Sequence, residues 1–191
     1  MMEIRITARK NPLIQQVRRL LSSKKEREEA GLFVADGTKL LTEAVIPEGI
    51  EEIPDFAFHD CKSLTSVKLP KSLKTIGESS FEGCNGITQI QLPEGLTAIG
   101  KKAFSGVYHL SEVKLPSTLT TLGERAFYNI WDLTSIDIPG SVAVISDSAF
   151  AHCNKLAKIT LHEGLQVIES HAFNGCIAKG VVIPEGVTTL E

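Results

Sequence analysis

Pro93–Leu115 reads PEGLTAIGKKAFSGVYHLSEVKL, and the chain repeats this stretch of 23 residues along most of its length. Prolines recur at the same step, at Pro47, Pro70, Pro93, Pro116 and Pro139. A phenylalanine column keeps the step through Phe58, Phe81, Phe104, Phe127, Phe150 and Phe173. Self-similarity at one fixed period of this length is the signature of a repeat protein.

The repeated unit predicts a short strand joined to a tight turn. Ala103 and Phe104 fall on a helical or 3₁₀-like turn that follows Gly100, and Pro116 ends the strand because it cannot donate to a ladder. Between them, apolar residues alternate with polar ones as in a strand, at Leu110, Val113 and Leu115. One unit buries little by itself, so stacked units must share a core. We expect that core to hold the Phe column and a second apolar column: Leu64, Ile87, Leu110, Leu133 and Leu156.

The pattern P-x-x-L-x-x-I-G-x-x-A-F-x-G-C-x-x-L-x-x-V-x-L resembles the BspA-type leucine-rich repeat, which is common on bacterial and protist cell surfaces. The resemblance covers residues 46–191 and implies a repeat solenoid of six units and a partial seventh. It also implies a non-catalytic interaction module that binds a protein or a surface ligand through its exposed repeat face. The sequence ends eight residues into the seventh unit, and we expect a fragment or a truncated product.

Residues 1–45 form a different kind of segment, for which the sequence predicts a small helical or α/β unit. Asn11 is a candidate N-cap, Pro12 occupies the first helical position, and residues 39–45 predict a third helix. This segment resembles the start of the substrate-binding domain of SpoU-type (TrmH-like) RNA 2′-O-methyltransferases. The matching pieces are Asn11-Pro12, Arg27-Glu28-Glu29, Leu32-Phe33-Val34 and Asp36-Gly37.

That second resemblance implies RNA contact through the basic residues of the segment: Arg5, Arg9, Lys10, Arg18, Arg19, Lys24, Lys25 and Arg27. It makes the chain a truncated or chimeric relative of the methyltransferases, an alternative to the interaction module. No position matches a catalytic or S-adenosylmethionine-binding residue of that family, so no enzyme activity is expected. Two other readings of the basic residues stay open: an ordinary solvated helix face, and a segment whose apolar face caps the first repeat.

Charge differs between the two parts of the chain. Residues 1–45 carry a net charge of +3, whereas residues 46–191 carry −6, within a total of −3. The first 30 residues contain no apolar run of the length found in a secretory signal. No stretch reaches the roughly 18 apolar residues of a membrane helix. We therefore expect a cytoplasmic protein that does not insert into a membrane.

The residues that most often carry chemistry predict no catalytic, cofactor or metal site. The cysteines occupy one repeat column, in which Val107 and Ile130 fill the remaining places: Cys61, Cys84, Cys153 and Cys176. A column that accepts valine and isoleucine is a core column, where cysteine acts as a small hydrophobe. A Cys61–Cys84 disulfide stays a geometric alternative. The five histidines lie in different columns, and no nucleotide-binding loop occurs.

Two surface features are candidates for binding. Tyr108 and Trp131 are one repeat apart, in a column otherwise filled by Lys62, Asn85 and Asn154. Exposed aromatic residues are common anchors of interfaces, so we predict a partner-binding patch formed by Tyr108, Trp131 and Tyr128, with His109 and Asp132 at its rim. The alternative is that the rings pack on each other and on the neighbouring loop backbone.

The second feature is a pair of polar rows that run across the predicted strands. One row is Ser66, Gln89, Glu112, Ser135 and Lys158, and the other is Lys68, Gln91, Lys114, Asp137 and Thr160. Polar side chains that vary from repeat to repeat on a constant backbone are typical of the binding surface of a solenoid. A surface without a function has the same appearance, so the sequence leaves both readings open.

Overall fold

The computed structural model describes residues 42–46 and 48–191, which wind into a solenoid of about six turns. Each turn contributes short strands to two rows. The first strand row contains β2 (Glu52–Ile53), β4 (Thr75–Ile76), β6 (Ala98–Ile99), β8 (Thr121–Leu122), β10 (Val144–Ile145), β12 (Val167–Ile168) and β13 (Thr189–Leu190). The second strand row contains β1 (Glu43–Val45), β3 (Ser66–Lys68), β5 (Gln89–Ile90), β7 (Glu112–Val113), β9 (Ser135–Ile138) and β11 (Lys158–Leu161).

All strand pairs are parallel, and their register is set by the repeat. Ile76 pairs with Ile99, which in turn pairs with Leu122, so each step is one repeat of 23 residues. Ile168 pairs with Leu190, one residue short of that step, because the last full repeat has lost a residue. Within the described residues the second row ends at β11, and the following turn leaves Val182 exposed.

The core lies between the two strand rows, and the predicted columns form it. Phe81, Phe104, Phe127 and Phe150 are fully buried and stack with their neighbours at ring-centroid distances of 5.1 to 5.6 Å. The five residues of the second predicted column are fully buried as well. Each such side chain contributes about 1.5–3 kcal/mol through burial. The core predicted from the sequence is confirmed for these residues, whereas Phe58 and Phe173 at the two ends of the phenylalanine column are only partly buried.

The prediction of tight helical turns is wrong, because the described residues contain no helix. The N–H groups of Lys102, Phe104 and Gly106 donate to carbonyls of the next turn at 2.8 to 2.9 Å. The N–H groups between them bond three residues back along the chain. Residues with a left-handed backbone recur in two columns, and such residues interrupt a right-handed helix. Hydrogen bonding to the next turn therefore replaces the helical ladder.

All eight basic residues proposed to contact RNA lie outside the described residues. Almost all of the residues in the predicted N-terminal helices lie outside them as well. The exception is the end of the predicted third helix. Glu43–Val45 is strand β1, in parallel pairing with β3, so the helix prediction is wrong for these residues. Their backbone groups pair with the strand of the next turn instead of forming the hydrogen bonds of a helix. The division of the chain at residue 45 stays a prediction.

Candidate functional site

The cysteine column packs into the core, as predicted. All four cysteines are free thiols, and Sγ of Cys84 donates to the backbone carbonyl of Phe58 at 2.9 Å. Burial raises the pKa of Cys153 to about 12 and that of Cys176 to about 11. Because the thiolate is the nucleophilic and metal-binding form, these side chains are protonated and inert near neutral pH.

Metal-binding side chains are scattered in the described ranges, 42–46 and 48–191. No group of three or more His, Cys, Asp or Glu residues there is arranged to hold a metal ion. Four of the five histidines pair with surface carboxylates, as in the 2.6 Å contact between Nε2 of His162 and Oδ1 of Asp137, whereas His152 packs against the ring of Tyr128. In the same ranges, no helix is long and apolar enough to cross a membrane.

Tyr108 and Trp131 form a stacked pair on the surface. Their ring centroids are 4.2 Å apart and the planes differ by 10°, because parallel register places one residue of the column directly over the other. Nε1 of Trp131 donates to Oδ1 of Asn129 at 2.6 Å. The Trp131 side chain stays 43% exposed. The pair is therefore held in place while part of the indole faces solvent.

The rim of the pair is an ionic ladder. The Asp132 carboxylate accepts from Nζ of Lys155 at 2.7 Å through Oδ1 and contacts Nδ1 of His109 at 2.9 Å through Oδ2. These hydrogen bonds, that of Lys155 first, hold the pKa of Asp132 below its usual value. Lys155 was missed by the sequence prediction. It follows His109 and Asp132 at the repeat step, so aligning the repeats would have found it.

Tyr128 belongs to a second cluster. Its ring packs edge-on against the ring of His152, with a centroid distance of 5.3 Å and an angle of 84°. The Arg125 guanidinium lies 5.9 Å from the Tyr128 ring centroid, over its face. The structure thus brings Tyr108, His109, Trp131 and Asp132 together. The ring of Tyr128 instead contacts Arg125 in its own turn and His152 in the next turn.

The first three members of each polar row line two adjoining surface grooves on the outer face of the second strand row. One groove has a volume of about 660 Å³ and lies over β3 and β5. The other, of about 400 Å³, lies over β5 and β7, and both include Gln89–Leu92. The strand alternation explains this surface, because Val67, Ile90 and Val113 point into the core and leave their polar neighbours outside.

Comparison with known proteins identifies the repeats. A family model described as a BspA type leucine-rich repeat region matches residues 33–156 and 84–191, with six copies. A leucine-rich repeat protein from Bacteroides ovatus is 32% identical, with a TM-score of 0.72 over 76% of this chain and 38% of its own length. Among the curated proteins, none matches this chain.

Two further solved structures share the fold. A T. pallidum leucine-rich repeat protein is 23% identical, with a TM-score of 0.59 over 66% of this chain and 72% of its own. A leucine-rich cell surface protein from Faecalibacterium prausnitzii is 24% identical, with a TM-score of 0.54 over 76% of this chain and 54% of its own. The chain thus spans less than two thirds of the B. ovatus and F. prausnitzii proteins.

The solenoid, its repeat register and its variable surface define a leucine-rich repeat protein, a class whose members typically act as non-catalytic scaffolds. The chain belongs to the BspA-type leucine-rich repeat family. Nothing in the comparisons supports the resemblance of residues 1–45 to SpoU-type RNA methyltransferases. RNA contact by that segment gains no support either.

Proposed function

We propose that the solenoid is an interaction module that binds a protein or a surface ligand through its exposed repeat face. The observation that carries the proposal is the stacked pair of Tyr108 and Trp131, with its half-exposed indole, in a column whose other members are polar except for Ile177 near the C-terminal end. His109 and Asp132 form its rim, and Tyr128, whose ring contacts His152 and Arg125, is proposed to extend it. Rigid aromatic anchors of this kind carry most of the energy in many interfaces.

The position of Trp131 supports a binding role over incidental exposure. The other large apolar side chains that are exposed in residues 42–46 and 48–191 lie near the two ends of the solenoid: Val45, Phe56, Ile177, Val182, Ile183 and Leu190. Trp131 instead lies in the middle, where both neighbouring turns are complete. Its stack and its hydrogen bond to Asn129 fix the ring before binding, which reduces the entropic cost of association.

The ligand is proposed to be extracellular or surface-bound, because one structural neighbour is described as a cell surface protein. The cytoplasmic location predicted from the sequence is not confirmed, and a surface location is the alternative proposed here. No nucleic-acid partner is proposed for the repeats, since their net charge of −6 opposes binding to a polyanion.

The experiment compares Trp131→Ala with Phe56→Ala, a matched loss of an exposed aromatic ring near the N-terminal end of the solenoid. Retention of each protein on washed bacterial cell envelopes and on immobilised envelope proteins is measured beside its thermal midpoint. We expect Trp131→Ala to lose retention at least several-fold and Phe56→Ala to retain it. A Trp131→Ala protein that is less stable yet is retained as well as wild type would assign the ring to packing and refute the proposal.

A further inference from the structure

The grooves on the second strand row expose two glutamine side chains to solvent, those of Gln89 and Gln91. Gln89 and Gln91 lie in both grooves, and their side-chain amides have no hydrogen-bond partner within the described residues. By contrast, the Asp132 carboxylate beside the aromatic pair is already occupied on both oxygens. Each glutamine amide offers two donors and an acceptor. The shared floor of the grooves is therefore the place where a ligand can make new hydrogen bonds.

The charges around these grooves do not select a charged ligand. Lys68 and Lys71 line the groove over β3 and β5, and Glu94, Glu112 and Lys114 line the groove over β5 and β7, so the two adjoining grooves together carry both signs. Nζ of Lys114 lies 3.8 Å from Oε1 of Glu94, so part of this charge is already paired. A patch that binds polyanions or polycations needs one dominant sign. The mixture favours an electrically neutral ligand.

The spacing of the turns distinguishes a sugar chain from a peptide. Stacked phenylalanine rings place successive turns 5.1 to 5.6 Å apart, and parallel register aligns Gln89 with Glu112. Equivalent side chains therefore recur once per turn along the grooves, and a pyranose unit advances a polysaccharide by a similar distance. An extended peptide advances by about 3.3 Å per residue, which does not match the spacing of the turns. Val67, Ile90 and Val113 are at most 9% exposed, whereas Leu69 and Leu92 line the grooves and are partly buried.

We propose that these adjoining grooves bind a neutral oligosaccharide laid across β3, β5 and β7, with Gln89 and Gln91 as the residues that hydrogen-bond its hydroxyl groups. This site lies on different residues from the aromatic pair, so it stands independently of the recognition proposed there.

The test uses the full chain and four neutral hexasaccharides, cellohexaose, xylohexaose, mannohexaose and maltohexaose, titrated by calorimetry at millimolar concentration. We expect saturable binding of at least one, weakened roughly tenfold in a Gln89→Ala/Gln91→Ala double variant, because each lost hydrogen bond weakens binding several-fold. Gln166→Ala removes an exposed glutamine that precedes β12 in the first strand row and should bind normally. Circular dichroism and thermal midpoints verify that each variant is folded.

Each of three results with the sugars and the double variant would overturn the proposal. They are no binding of any hexasaccharide, unchanged affinity in the double variant, and preferential binding of hexagalacturonate or of an extended Ser/Thr decapeptide. Trp131→Ala should leave sugar affinity intact. Equal loss in Trp131→Ala would move the sugar to the aromatic pair and overturn the assignment to the grooves, whereas normal sugar binding with lost envelope retention would separate the two sites.

Discussion

At the scale of single residues, the repeat shows where one residue differs from the other members of its column. Ser80 stands in a column whose other members are alanine: Ala57, Ala103, Ala126, Ala149 and Ala172. Ser80 is fully buried, and its Oγ has no hydrogen-bond partner among the residues that the structure describes. Burying a hydroxyl without a partner costs roughly 1–3 kcal/mol. The neighbouring turns show that the fold needs only a methyl group at this position.

We therefore predict that Ser80→Ala raises the free energy of unfolding by about 1 kcal/mol. Ser72→Ala is the control, and we expect it to lower the free energy of unfolding. Oγ of Ser72 donates to the carbonyl of Ile50 at 2.8 Å and accepts from the Gly49 amide at 2.9 Å, so the substitution removes two hydrogen bonds. Urea titrations measure both. A Ser80→Ala protein that is clearly less stable than wild type would show that Oγ has a partner after all.

At the scale of elements, the strands could be predicted more fully than the turns. Alternation of Val113 and Leu115 with polar residues indicated the second strand row directly, since that signal is local. The turn backbone depends on bonds such as Lys102 to Glu124, 22 residues away. Propensity within one repeat cannot reveal such bonds. The glycines and asparagine of one left-handed column, including Gly106 and Asn129, were the available signal.

The other left-handed column has no glycine, which yields a prediction. Lys102 has a φ of 54°, a conformation that costs a side-chain-bearing residue roughly 1 kcal/mol. Lys102→Gly removes that cost but adds entropy to the unfolded chain, so we expect its stability to stay within about 0.5 kcal/mol of wild type.

Lys158→Gly is the matched control for Lys102→Gly. It removes an exposed lysine from strand β11, where φ is not positive. The glycine there adds entropy without relieving strain, so we expect a loss of about 0.5–1 kcal/mol. Chemical denaturation of both variants gives the comparison. A Lys102→Gly protein that loses as much as Lys158→Gly would contradict the argument from backbone strain.

At the scale of the whole molecule, the repeat register predicted the candidate site in part. It placed Tyr108 over Trp131 and put His109 and Asp132 together in the next column, and both pairs are in contact in the structure. It could not place the ring of Tyr128, because a side chain at a turn can lean toward either neighbour. The sequence could not predict the grooves either, because their depth depends on how the strands and the following loops curve together.

A solenoid in which each turn contacts only its neighbours should tolerate the loss of one whole turn. We predict that deleting residues 70–92, one full repeat, leaves a folded solenoid about 5 Å shorter by small-angle scattering. Every column stays in register, and Phe58 then stacks on Phe104. The deletion also removes Gln89 and Gln91, so hexasaccharide binding should disappear.

The chain contains a single tryptophan, so its emission reports on the Tyr108–Trp131 pair in this deletion. That pair lies in turns beyond the deleted repeat, and we expect an unchanged emission maximum with a lower thermal midpoint, because one interface between turns is lost. Deleting residues 70–80 alone is the control. It shifts every later column against the earlier ones, so Phe58 would no longer face a phenylalanine, and we expect loss of cooperative unfolding. Equal behaviour of the two deletions would contradict the view that register between neighbouring turns holds this molecule together.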